Sequence, residues 1–72
     1  MKTLDQMKIG SISKVISFVE PTIASRLMSM GIVPGISVSI MRKSLMGSTY
    51  FLQFPQLTLA LRKEEAAQIV IE

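Results

Sequence analysis

The sequence predicts a small, mainly β domain, built as a five-stranded β-barrel with one short inserted α-helix and an additional helical turn. Short runs of β-branched and other apolar residues recur along the chain and are separated by turn-forming residues. Only one segment of about ten residues has apolar side chains at helical spacing. The chain has 72 residues, which suits one domain spanning 1–72. Strands in so small a chain protect their edges best by curling into a barrel.

The composition restricts the chemistry of the chain. It contains no Cys and no His, so disulfides, thiolate or imidazole metal ligands, Cys nucleophiles and the usual proton shuttle near neutral pH are absent. The chain is therefore a poor candidate for an enzyme, and we expect no cofactor. Eight Lys and Arg against five Asp and Glu give a net charge of +3. This mild excess favours contact with acidic protein, phosphate or membrane surfaces, or serves solubility alone.

No apolar run approaches the roughly 18 residues that a membrane-spanning helix needs. The opening stretch, MKTLDQMKIG, lacks the long apolar region of a signal peptide. We therefore expect a cytoplasmic protein without membrane insertion.

The first strand follows a polar opening. Residues 1–8 predict a turn or short helix in which Leu4 and Met7 share one face. Residues 12–19, ISKVISFV, are rich in β-branched residues and predict a strand. Side chains of a strand alternate between its two faces. This alternation places the apolar residues Ile12, Ile16 and Phe18 on one face.

A short helix follows this strand. Pro21 suits the first helical position, where its missing N–H would have no partner. Gly31 is the predicted stop, since glycine adopts the left-handed conformation without a Cβ clash, and Ile32 can then pack back on Leu27 in a Schellman ending. The apolar stripe of the helix consists of Ile23, Leu27 and Met30.

Strands dominate the rest of the chain. Pro34 and Gly35 have the residue types that a type II turn prefers. The next strand has the clearest alternation, with Ile36, Val38 and Ile40 against Ser37, Ser39 and Met41. The remaining elements are a loop at 44–48, a strand at 50–54, a turn at 55–56, a strand at 57–62, a helical turn at 62–68 and a strand at 69–71.

Two stretches of the chain, RLMSMGIVPGISVSIMRKSLMG and LALRKEEAAQIVIE, resemble the FeoA family of small cytoplasmic proteins in bacterial ferrous iron uptake. The likeness covers nearly all of the sequence and keeps order and spacing. Gly47-Ser48-Thr49 and Pro55-Gln56 differ from the pattern that many relatives have in these two loops. The signature residues are Leu27, Gly31, Pro34 and Gly35.

The resemblance implies an SH3-like barrel with an inserted helix. It also implies a non-enzymatic accessory or regulatory role beside the membrane ferrous iron permease FeoB, through the cytosolic region of that protein. Transition metal binding is associated with the family as a whole.

A metal site is not predicted from the residues themselves. Glu64 and Glu65 are adjacent, and neighbours on a helical turn point about 100° apart, so they do not chelate readily. Methionine thioethers suit Cu(I) rather than Fe(II), and methionine commonly fills cores or forms adaptable contact surfaces. The carboxylates available are Asp5, Glu20, Glu64, Glu65 and Glu72.

A protein-binding surface is predicted instead. Exposed apolar residues beside charge can mark an interaction site, and the loop at 44–48 should leave Leu45 and Met46 in solvent. Two interpretations of Met28 and Met41 remain open. They belong either to this surface or to secondary parts of the core, which they would cover. The candidates for the partner interface are Arg26, Met28, Met41, Arg42, Lys43, Leu45 and Met46.

The alternative function is nucleic-acid binding by a small basic barrel. Such proteins combine a dense basic patch with aromatic stacking platforms. Here the basic residues are scattered apart from two dipeptides, Arg42-Lys43 and Arg62-Lys63, and the aromatic residues occupy strand positions. Nucleic acid is therefore not the expected partner. Weak self-association through exposed edges or methionines is a further expectation.

Overall fold

The computed structural model describes all 72 residues. Its strands and helices, in chain order, are β1 (Lys2–Thr3), β2 (Ile12–Phe18), α1 (Pro21–Ser29), β3 (Ser37–Lys43), β4 (Thr49–Phe54), β5 (Leu57–Arg62), α2 (Lys63–Ala66) and β6 (Ile69–Ile71), with a 3₁₀ turn at Leu4–Gln6. The strands form one antiparallel sheet in the order β1-β6-β2-β3-β4-β5. The predicted mainly β fold with a short helix and a helical turn is confirmed.

The sheet has six strands rather than five, and no strand pairing joins its two edges. The additional strand is β1, in which Lys2 pairs with Ile71 and Thr3 with Val70. A two-residue strand is too short to show an alternating pattern in sequence, so only its partner reveals it. Leu4 and Met7, which follow β1, are both buried in the core, as their predicted common face requires.

The predicted core face of β2 is wrong. Ile12 and Ile16 are exposed, whereas Val15 is buried and Phe18 packs partly buried against the core. Val15, on the face opposite Ile12 and Ile16, takes the core position. A β-bulge explains why Phe18 shares the face of Val15: Val15 pairs with Ile71 but Ser17 pairs with Val70, so Ile16 is an extra residue with no partner. A bulge shifts the side-chain alternation by one residue. The simple alternation of side chains between the two faces of the strand therefore holds only up to Val15.

Helix α1 begins and ends as predicted, apart from one side chain. Pro21 is its first residue. At its carboxyl end the Ile32 N–H donates to the Leu27 carbonyl at 3.1 Å and the Gly31 N–H donates to the Met28 carbonyl at 3.0 Å. These two bonds define a Schellman motif, and both Leu27 and Ile32 are fully buried. Met30, predicted to pack in the stripe, is instead 36% exposed because it caps the helix at its end.

A tight turn connects α1 to β3. The Ile36 N–H donates to the Val33 carbonyl at 3.2 Å across Pro34 and Gly35, and Gly35 has a φ of 94°. This is the geometry that the Pro-Gly pair predicts. In β3, Val38 and Ile40 are buried, which confirms the predicted alternation in this strand.

A second bulge ends the alternation of β3. Ile40 pairs with Leu52 but Arg42 pairs with Phe51, so Met41 is the extra residue. The hairpin of β4 and β5, by contrast, keeps an unbroken register from Thr49 opposite Arg62 to the Phe54–Leu57 pair beside the turn. Strand β5 pairs with β4 alone, which leaves its other side without a strand partner.

The core lies inside this curved arrangement of strands and helices. It consists of Leu4, Met7, Val15, Leu27, Ile32, Val38, Ile40, Tyr50, Leu52, Phe54, Leu61, Ala66, Ile69 and Ile71. Every strand from β2 to β6, both helices and the 3₁₀ turn contribute to it. Neither helix has the length and apolar character required to cross a membrane.

Candidate interaction surface

Five of the seven predicted interface residues lie together at the carboxyl end of β3 and in the loop after it. Residues 44–48 form the connection between β3 and β4, which we call the hairpin tip. Leu45 is fully exposed and Met46 is 87% exposed, as the sequence predicts for this loop. No part of the domain covers these two apolar side chains.

The hairpin tip is held by hydrogen bonds around Ser44. Its hydroxyl oxygen accepts from the Ser48 N–H at 3.1 Å and from the Thr49 N–H at 3.0 Å. Its backbone N–H donates to the Thr49 carbonyl and its carbonyl accepts from the Gly47 N–H, both at 2.8 Å. A serine hydroxyl that bonds to nearby backbone groups stabilises a turn. The tip therefore presents its apolar side chains from an ordered loop.

Two cations lie over aromatic rings beside the hairpin tip. The guanidinium carbon of Arg42 is 3.9 Å from the centroid of the Phe51 ring, and Nζ of Lys43 is 4.8 Å from that of Tyr50. Both distances are within the range of cation–π attraction. Both contacts follow from the strand register, which pairs Arg42 with Phe51 and Lys43 with Tyr50. The positive charges of Arg42 and Lys43 therefore have preferred positions over these two rings.

The two methionines whose role the sequence leaves open are both partly exposed. Met41 is 46% exposed in the bulge of β3, and Met28 is 43% exposed on α1. Neither belongs to the buried core. Both therefore offer apolar area to a partner.

Arg26, predicted to be free for a partner, is instead engaged within the domain. Its Nη2 donates to Oε2 of Glu65 at 2.7 Å, which joins α1 to α2. Oε1 of Glu65 also accepts from the backbone N–H of Arg62 at 2.9 Å and so caps α2. This ion pair has no signal in sequence spacing, because 39 residues separate Arg26 from Glu65. Arg26 stays a candidate for the partner interface, since its side chain is 55% exposed.

Two basic residues that were not among the candidates also lie next to the hairpin tip. Arg62 is directly opposite Thr49 in the β4–β5 ladder, and the Lys63 N–H donates to the Ser48 carbonyl at 2.9 Å. The dipeptide Arg62-Lys63 is visible in the sequence, but its position depends on the β4–β5 register. Glu64 lines a polar hollow here with Ser48 and Arg62.

The structure gathers no group of three or more Asp, Glu, His or Cys side chains. Glu65 already uses both carboxylate oxygens within the domain.

A separate shallow groove lies on the sheet surface and is lined in part by Ile12, Ser39, Gln53 and Pro55. The exposed apolar side chains and the cations held over aromatic rings suit the hairpin tip to binding a partner.

Comparison with solved structures shows that this fold is shared along the whole chain. A FeoA-like protein from Clostridium acetobutylicum is 37% identical, with a TM-score of 0.88, over 100% of this chain and 88% of the other. FeoA from Chlorobium tepidum is 28% identical, with a TM-score of 0.86, over 97% of this chain and 68% of the other.

A third relative has a functional description. FeoA from Stenotrophomonas maltophilia, solved with zinc, is 27% identical, with a TM-score of 0.87, over 100% of this chain and 91% of the other. It is described as a prokaryotic SH3 domain protein and a candidate activating factor of bacterial ferrous iron transport. No curated protein sequence is significantly similar to this chain. The model of the FeoA domain matches residues 2–72, and the chain therefore belongs to the FeoA family.

Proposed function

We propose that this protein is a non-enzymatic, cytoplasmic accessory protein of bacterial ferrous iron uptake that regulates or assembles the permease FeoB by binding its cytosolic region. The observation that carries the proposal is the exposed surface around the end of β3. There Leu45 and Met46 are almost wholly exposed and Met41 is partly exposed. These side chains lie beside the cations Arg42 and Lys43, which are held over aromatic rings. Family membership and the description of the Stenotrophomonas relative support ferrous iron transport as the process.

The chemistry of this surface fits a protein partner. Covering one such apolar side chain contributes about 1.5–3 kcal/mol. Cations beside the apolar area speed the encounter with an acidic partner and help to set its orientation. Met28 stays a separate candidate on α1, whereas Arg26 takes part only if its ion pair with Glu65 opens.

The proposal is tested by pull-down of the cytosolic region of the permease, with and without nucleotide. We expect the unsubstituted protein to bind, and the double variant R42E/K43E to bind at least tenfold more weakly. The matched control is K2E/K14E, which makes the same change of charge at two exposed residues elsewhere in the sheet, because Lys14 pairs with Ser37 at the start of β3 and Lys2 pairs with Ile71 in β6. Absence of binding to this region and to the complete permease in membranes would overturn the proposal, and equal weakening by both variants would remove the assigned surface.

A further inference from the structure

The hairpin tip is one part of the surface proposed for the permease, and it is exposed enough to meet a second kind of partner. Leu45 and Met46 are adjacent and almost wholly exposed, and no other large apolar residue apart from the terminal Met1 is as exposed. The hydrogen bonds around Ser44 hold the loop in this conformation. Two apolar side chains thus project from the end of the β3–β4 hairpin.

The distribution of charge adds a second, independent observation. Arg42 and Lys43 precede the tip, Arg62 pairs with Thr49 after it, and the Lys63 N–H donates to the Ser48 carbonyl. Four cations and one carboxylate therefore flank the tip, and these five residues have a net charge of +3. They are Arg42, Lys43, Arg62, Lys63 and Glu64.

We propose that the hairpin tip binds the surface of a bilayer that contains anionic phospholipid. Leu45 and Met46 enter the boundary between headgroups and acyl chains, and the four cations lie against the lipid phosphates. The contact is peripheral and involves side chains of one loop, which differs from a membrane-spanning segment. It goes beyond the proposed function, since it concerns the lipid itself and would hold without the permease.

The tip taken by itself fits a lipid surface better than a protein groove. A specific protein interface covers about 800 Å² on each partner and needs complementary shape, so a protein partner must also contact the strand beside the tip, whereas the two projecting side chains alone can enter a bilayer surface. A bilayer surface accepts a convex apolar tip without a matching pocket. Basic residues close behind the apolar side chains add attraction to anionic headgroups within a Debye length. The tip therefore has both parts that peripheral membrane binding needs.

Vesicle flotation with the full chain tests the proposal. We expect binding to vesicles of phosphatidylcholine with about one third phosphatidylglycerol, little binding to pure phosphatidylcholine, and loss of binding as salt rises, because the attraction is partly electrostatic. The double variant L45S/M46S should lose binding at least tenfold. The control I9S/I12S removes two exposed apolar side chains outside the hairpin tip. It should bind as well as the unsubstituted protein.

Fluorescence gives a second readout, which reports the part of the bound protein that contacts the lipid. The chain contains no Trp, so the variant L45W reports only on the hairpin tip. Its emission should shift to the blue when anionic vesicles are added, while the emission of I12W, on the outer face of β2, should stay unchanged.

Two results would overturn the proposal. One is an L45W emission that does not change with anionic vesicles, together with no flotation. The other is vesicle binding that L45S/M46S and I9S/I12S weaken equally. If L45S/M46S abolishes binding to the cytosolic region of the permease while no vesicle binds the unsubstituted protein, the tip is a protein contact and the lipid proposal is wrong.

Discussion

At the scale of single residues, Gly31 combines two constraints in one position. Its φ of 96° is in the left-handed region, where residues with a Cβ are strained. A Cβ at this position would also lie 3.0 Å from Cδ2 of Leu57, at the start of β5. The first constraint is local and is predicted by the helix ending, whereas the second exists only because the end of α1 lies against β5.

Substitution of Gly31 separates the two constraints. Gly35 has nearly the same φ, 94°, and a Cβ added there would meet no atom within 4 Å beyond its chain neighbours, so G35A measures the cost of the backbone alone. We expect G35A to lose about 1 kcal/mol of unfolding free energy and G31A about 2 kcal/mol, since Leu57 must also move, with G31V losing about 3 kcal/mol or more. Urea denaturation of the three variants is the measurement. Equal losses for G31A and G35A would show that contact with Leu57 costs nothing.

At the scale of elements, Glu65 holds both helices in place. Helix α2 has four residues, too few for a helix that is stable by itself. The Glu65 carboxylate caps the Arg62 N–H with one oxygen and binds Arg26 of α1 with the other. Arg26 is 55% exposed, so the ion pair is screened by solvent and contributes little. The cap is therefore the larger part of what Glu65 contributes.

Variants of this pair should differ in a defined order. We expect R26A to lower the unfolding free energy by at most about 0.5 kcal/mol, as for exposed ion pairs, and E65A to lower it by about 1–2 kcal/mol, because the Arg62 N–H also loses its cap. E65Q keeps an oxygen that can accept from this N–H and should resemble R26A. Chemical denaturation measures all three, and an R26A loss as large as that of E65A would contradict the assigned role of the cap.

At the scale of the whole molecule, the position of the positive charge bears on the choice between partners. Nucleic-acid binding by a small barrel needs aromatic rings that are free to stack on bases. Here Tyr50 and Phe54 are buried, and the Phe51 ring has Arg42 over it. The basic end of the molecule therefore presents apolar side chains rather than stacking platforms.

We accordingly expect no specific binding of single-stranded RNA or DNA. A fluorescein-labelled 20-nucleotide strand should show a flat anisotropy titration with the protein at low salt, apart from weak attraction that salt removes. Binding at micromolar concentration or tighter that R42E/K43E abolishes would favour nucleic acid as the partner. The control K2E/K14E again carries the same change of charge elsewhere.

The sequence by itself determined the features that depend on neighbouring residues. The start of α1 at Pro21, its ending at Gly31, the turn at Pro34-Gly35 and the exposed loop around Leu45 follow from backbone preferences of a few adjacent residues. The order of strands after Gly35 follows from turn residues and alternation. These signals act over fewer than about ten residues, so they can be read without knowledge of the rest of the chain.

Only the tertiary structure decided the features that depend on pairing between distant segments. The bulges at Ile16 and Met41 arise from the register with β6 and β4, and the first of them places Phe18 on the same face as Val15. The ion pair of Arg26 with Glu65 and the position of Arg62 opposite Thr49 likewise depend on which elements lie side by side. Registers and ion pairs of this kind are set by packing across the whole sheet, which no local stretch of sequence contains.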